Sequence, residues 1–175
     1  MIKKIEKEFE NMALIAMAIA IAVALTTVKL NFEFYVVPTG SMLPTLTIGE
    51  FHLGKIIRSD NELHRGDIVT FDTQWDMIFV KRLIGMPGDT IEISEGVLYL
   101  NGAAQNEDYL MDDPAPMSDF GPYTVPEGHY FMMGDNRNNS SDSRVIGSVP
   151  YEDLRSRVIF HRPTLLPRLL DILHK

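Results

Sequence analysis

Between Met12 and Val28 the chain carries no charged residue, and this run limits the possible architectures more than any other feature. It lies at the short end of the roughly 17–25 residues that a membrane-spanning helix needs, and Leu30, Phe32, Phe34 and Tyr35 prolong its apolar character. Residues 12–30 are therefore read as one transmembrane anchor behind a polar lead-in, 1–11. A cleaved export signal is the competing reading, with Lys3 and Lys4 as a basic lead and Ala22-Val23-Ala24 as a small-residue site. The run exceeds the roughly 7–15 residues usual for the apolar part of such a signal, which favours the anchor. Lys3, Lys4 and Lys7 precede the run and only Lys29 follows it closely, so the amino terminus is expected inside and the remainder exported.

Beyond the anchor the pattern turns to short β-prone runs. Strands are expected at 51–57, 68–71, 77–85, 90–93, 97–100, 123–125, 129–133, 145–149 and 157–160, separated by turn signals such as Met86-Pro87-Gly88-Asp89, Ser94-Glu95-Gly96 and Asn101-Gly102. Residues 103–121 are rich in Asp, Asn, Pro and Met without periodicity, and read as a long surface excursion. So many short strands with little helical periodicity predict a mainly β domain over 31–162. Leucines at helical spacing in 163–175 form an apolar tail too short to span a bilayer.

Composition narrows the chemistry. The 175 residues include no cysteine, which removes thiol catalysis and disulfides, and the net charge of -8 without a dense basic run argues against a nucleic-acid partner. The five histidines show no metal-ligand spacing, so neither metal nor cofactor is expected.

Three segments carry candidate chemistry. In Val37-Pro38-Thr39-Gly40-Ser41-Met42-Leu43-Pro44-Thr45-Leu46, two prolines that cannot donate to a sheet ladder frame a serine beside a glycine. This is either a rigid rim presenting Ser41 or a proline-rich connector. Lys81 interrupts the apolar run 77–85, sharing one face with Met77 and Phe79 if the run is a strand. A strand-end lysine usually snorkels to water; a buried one can lose its proton and act as a general base toward a serine hydroxyl. The segment 134–144, with two acids and two arginines among amides and hydroxyls, is a polar loop or a network that fixes neighbouring backbone.

Pro38 to Thr45, Gly66-Asp67-Ile68-Val69, Lys81 to Asp89 and Gly134 to Arg144 resemble, in this order, the sequence boxes of bacterial type I signal peptidases, in their compact single-span form. The resemblance implies a twisted, mostly antiparallel β catalytic domain with a small inserted lobe, 89–125, on the outer side of the bacterial inner membrane. It implies a Ser-Lys endopeptidase that removes signal peptides from exported preproteins after Ala-x-Ala type sites, beside the export machinery. Ser41 would be the nucleophile and Lys81 the general base. Ser140 would orient the lysine, and the Ser41 N–H with the Thr39 hydroxyl would hold the oxyanion. Arg82 with Asp135, and Asp142 with Arg144, would be supporting ion pairs. Tyr35, Val37, Met42, Leu46 and Val80 would line the pockets for small substrate side chains. Many family members have serine where Thr39 stands. A conjugation-pilus processing peptidase and an anchored β-domain that binds exported chains without cutting them are the alternatives. No Gly-x-Ser-x-Gly elbow or Ser-x-x-Lys motif points to another serine hydrolase.

Overall fold

The computed structural model describes residues 2–111 and 117–161; the apolar tail 163–175 lies outside them. Helix α1, Ile2–Asn31, has 30 residues and is about 45 Å long at 1.5 Å per residue, enough to cross a bilayer. It starts within the lead-in, because lysine and glutamate are good helix formers and nothing between Ile2 and Asn11 breaks the turn. Thr26 and Thr27 return their hydroxyls to the carbonyls of Ala22 and Val23, both at 2.8 Å, which leaves no unpaired hydroxyl on an otherwise apolar surface. The Arg58 guanidinium donates to the Leu30 carbonyl at 2.7 Å, a cation placed at the helix's negative end. Phe32, Phe34 and Tyr35 do not prolong the helix. They open the first strand, where alternate side chains can face opposite sides of a sheet.

The strands are β1, Phe32–Val36; β2, Phe51–Ile56; β3, Ile68–Asp72; β4, Ile78–Gly85; β5, Thr90–Ser94; β6, Val97–Leu100; β7, Ala103–Ala104; β8, Phe120–Thr124; β9, His129–Met133; β10, Val149–Pro150; and β11, Leu154–His161. The mainly β class expected from the sequence is the one observed. Seven strands form one antiparallel sheet in the order β1-β2-β11-β3-β4-β9-β10, and four form a second in the order β7-β6-β5-β8. β5 and β6 are joined through Glu95-Gly96, both at positive φ, and Ser94 pairs with Val97, the two-residue loop whose twist suits a hairpin.

Two expectations fail here. Residues 145–149 are not a strand: Ser143–Ile146 forms a helical turn, α2, because the Asp142 side chain accepts from the Arg144 N–H and caps it, and only Val149 enters β10. The 103–121 stretch, in its described parts 103–111 and 117–121, is tied to the domain instead of running free over its surface. Ala103–Ala104 adds a strand to the second sheet, Met117 is buried, and Glu107 and Tyr109 turn inward.

Among the described residues three apolar clusters hold the fold. Ile91, Ile93 and Leu98 of the second sheet pack on Phe131 and Met133 of β9, joining the two sheets. Val69, Phe71, Leu83, Met132 and Leu154 fill the main sheet. Val37, Met42, Leu46, Ile68 and Val80 form a third cluster beneath the 37–46 segment. Val37, Met42 and Leu46 are wholly buried, each worth roughly 1.5–3 kcal/mol of transfer free energy, so the Ser41 segment is anchored on both sides of the serine.

Candidate active site

Ser41 sits in a single 3-10 turn, Gly40–Met42, entered from an extended Thr39 and closed by the Leu43 N–H on the Gly40 carbonyl. Pro38 and Pro44 bracket the turn, and Met42 and Leu46 drive it into the core, so the segment is a rigid rim and not a loose connector. Lys81 is the fourth residue of β4, paired with Val69 of β3 and flanked by buried Val80. Alternation along β4 puts Lys81 on the Phe79 face, with the ammonium 5.1 Å from the ring centroid.

These two elements bring the side chains together. Lys81 Nζ donates to Ser41 Oγ at 2.7 Å, and the residues are only 4 % and 6 % exposed. The lysine does not snorkel. Burial holds its amine down to about 8, against the opposing pull of the Asp142 and Asp135 carboxylates, so a substantial fraction is neutral near pH 8. The Thr39 hydroxyl points at the same oxygen from 3.4 Å. A groove of about 720 Å³ opens over the pair, lined by the 38–41 rim, the 77–81 end of β4 and the 138–141 loop.

The loop from Gly134 supports the serine from behind. The Asn136 N–H donates to the Ser41 carbonyl and its Nδ2 to the Gly40 carbonyl, both at 3.0 Å. Gly134 passes under Ser41 with no room for a side chain. Asp135 receives a two-pronged bond from Arg82, Nε at 2.8 Å and Nη2 at 2.6 Å, together with the Thr45 hydroxyl. Asp142 is buried, which pushes its carboxyl up, yet the fork of Arg144 and the Gly134 N–H outweigh burial and hold it below the usual carboxylate range. Arg144 also ties the Arg137 carbonyl at 2.6 Å.

Other expected residues are placed differently. The Ser140 hydroxyl is buried against Gly134, on the Asp142 side, and does not bond the lysine, although Ser140 lines the groove beside it. Of the five pocket residues, Val80 lines the groove; Val37, Met42 and Leu46 lie in the core beneath it, with Tyr35 packed against them. Thr45, Asn136 and Arg137 also serve the site without standing out individually in the sequence, and Glu107 and Tyr109 lie outside its candidate segments. An arginine and an amide inside a polar loop were the available signal for Asn136 and Arg137. Nothing in the aperiodic 103–111 stretch marks Glu107 as the partner of Arg137.

Comparison with known proteins covers the same stretch of chain. The family described as "Signal peptidase, peptidase S26" matches residues 10–161. A signal peptidase I of Bacillus licheniformis is 44% identical over 139 residues, covering 74% of this chain and 75% of the relative. Signal peptidase I T of Bacillus subtilis is 43% identical over 139 residues, covering 74% and 72%. Among solved structures, a signal peptidase I from Enterococcus faecalis superimposes with a TM-score of 0.50 at 35% identity, covering 58% of this chain and 97% of that one. With the match spanning the helix, both sheets and the Ser41–Lys81 groove, the chain belongs to the signal peptidase family, peptidase S26.

Proposed function

We propose that the chain is a membrane-anchored serine endopeptidase that removes signal peptides from exported preproteins after small residues. The observation that carries this reading is the buried 2.7 Å contact between Lys81 Nζ and Ser41 Oγ at the floor of an open groove. In the neutral amine the proton roles reverse: Ser41 Oγ–H gives its proton to Lys81 Nζ as the oxygen attacks the scissile carbonyl carbon. The oxyanion that forms is held by the Ser41 N–H and the Thr39 hydroxyl. Its collapse breaks the C–N bond, and the Lys81 ammonium returns the proton to the departing amine. Water activated by the again-neutral lysine then hydrolyses the Ser41 ester and restores the hydroxyl. Arg82 with Asp135, and Asp142 with Arg144, hold the loop that carries Asn136 and Ser140.

Residues 12–30 act as the anchor, 31–162 as the peptidase domain on the outer face of the bacterial inner membrane, and 89–125 as its inserted lobe. α1 ends at Asn31 and β1 follows directly, so the rim bearing Ser41 lies near the bilayer surface, where a signal peptide still in the membrane presents its cleavage site. The shallow groove over Val80 suits small side chains, with Tyr35, Val37, Met42 and Leu46 shaping its floor from below. Full-length protein incubated with a preprotein bearing an Ala-x-Ala site tests the reading: it should release a mature chain whose new amino terminus follows that site, and cleavage elsewhere or none would overturn it.

A further inference from the structure

One cluster of buried groups that the reaction leaves unused stands against the loop that supports Ser41. Arg137 and Glu107 form an ion pair whose side chains are 1 % and 8 % exposed, with Arg137 Nη1 reaching Glu107 Oε2 at 2.7 Å. The Tyr109 hydroxyl donates to the same carboxylate and accepts from Arg137 Nη2 at 3.2 Å. The Arg82 guanidinium stacks over the Tyr109 ring, 3.9 Å from its centroid, and that of Arg137 stands 5.8 Å from the same centroid. Arg137 Nε donates to the Gly134 carbonyl at 3.1 Å, and Arg82 holds Asp135. Both arginines that grip Tyr109 are thus bonded to the loop that supports Ser41.

We infer that Glu107 and Tyr109 are positioning residues: they latch the 105–111 segment of the inserted lobe onto the 134–141 loop and hold that loop closed beside Lys81. The inference rests on the assignment of Ser41 and Lys81 proposed above. A latch this deeply buried is costly unless completed, because an arginine taken from water needs its full set of partners. Glu107 and Tyr109 complete it from a segment distant in sequence, so the loop's position depends on the lobe. What the loop protects is the dryness around Lys81. The charged groups facing that amine are the carboxylates of Asp135 and Asp142, each paired with an arginine, Arg82 and Arg144, which leaves burial the larger influence. Loosening the loop admits water and favours the ammonium form.

The test is kcat/KM against pH for preprotein cleavage by the full chain, measured well below each variant's Tm. Tyr109→Ala and Glu107→Gln should move the acid limb toward higher pH, with about a tenfold loss at neutral pH for each pH unit moved. Tyr109→Phe, which keeps the ring over Arg82, should recover most of that loss, and Glu92→Gln on the exposed face of β5 should match the parent. Should Glu107→Gln fail to fold, Tyr109→Ala decides, since it leaves the Arg137–Glu107 pair in place. A lower Tm with an unmoved acid limb, in a parent that shows one and whose Ser41→Ala variant is inactive, overturns this inference alone. A parent without an acid limb, or an active Ser41→Ala variant, overturns the assignment of the site and this inference with it.

Discussion

Gly134 runs so close beneath Ser41 that a Cβ built on it would stand 2.5 Å from the Ser41 carbonyl oxygen and 2.3 Å from Ser140 Oγ. A backbone oxygen cannot swing aside like a side-chain tip. Gly134→Ala should therefore displace the rim that carries the serine, costing about 1–3 kcal/mol of stability as an overpacked site. Activity should fall much further than stability, because the Lys81–Ser41 contact moves with the rim. Thermal unfolding beside preprotein cleavage checks this; parent-level cleavage by Gly134→Ala would show that the close approach is immaterial.

Lys81 carries a stability penalty that depends on pH. The unfolded chain keeps the lysine proton up to about 10.5, the folded chain only to about 8, so between these values the unfolded state binds more protons and stability rises with pH. Below about 8 the penalty is complete, on the order of 3 kcal/mol. Lys81→Met should consequently be inactive yet at least as stable as the parent at pH 7, and the difference should vanish as pH approaches 10.5. Denaturant unfolding of both proteins at pH 7 and pH 10 tests it.

Catalysis should follow the same group. With the base required neutral, kcat/KM should climb about tenfold per pH unit below the limb near pH 8 and level off above it. A profile flat across that range would remove Lys81 from the role of base.

The Arg82–Asp135 pair joins β4 to the supporting loop, with the Asp135 side chain wholly buried. Asp135→Ala leaves a largely buried guanidinium without its counter-charge, and roughly 3–5 kcal/mol of destabilisation is expected. Arg82→Lys keeps the charge but not the fork, and should cost less. An Arg82→Lys loss as large as that of Asp135→Ala, read from denaturant midpoints, would contradict this and show that the fork matters as much as the counter-charge.

Much of this was legible in the chain because its period-2 segments are short and well punctuated. β5 and β9 fall within a residue of their expected bounds because an alternating apolar pattern in β5 and a continuous apolar run in β9 end at turn signals. β1 was hidden because Phe32, Phe34 and Tyr35 continue the hydrophobicity of α1, and only packing against β2 decides between helix and strand. α2 was hidden because Val145 and Ile146 favour strands locally, a preference that the Asp142 cap overrides. Ser41 and Lys81 stood out as polar residues in apolar or proline-framed settings. Glu107 did not, since its meaning lies in a contact with Arg137 that local pattern cannot encode.

The most direct test of the Ser41–Lys81 assignment is the rate of preprotein cleavage by Ser41→Ala, with folding checked by its thermal unfolding. The expected result is a folded protein with no cleavage above background, because no other hydroxyl among the described residues is bonded to Lys81. Cleavage at the parent rate would contradict the assignment.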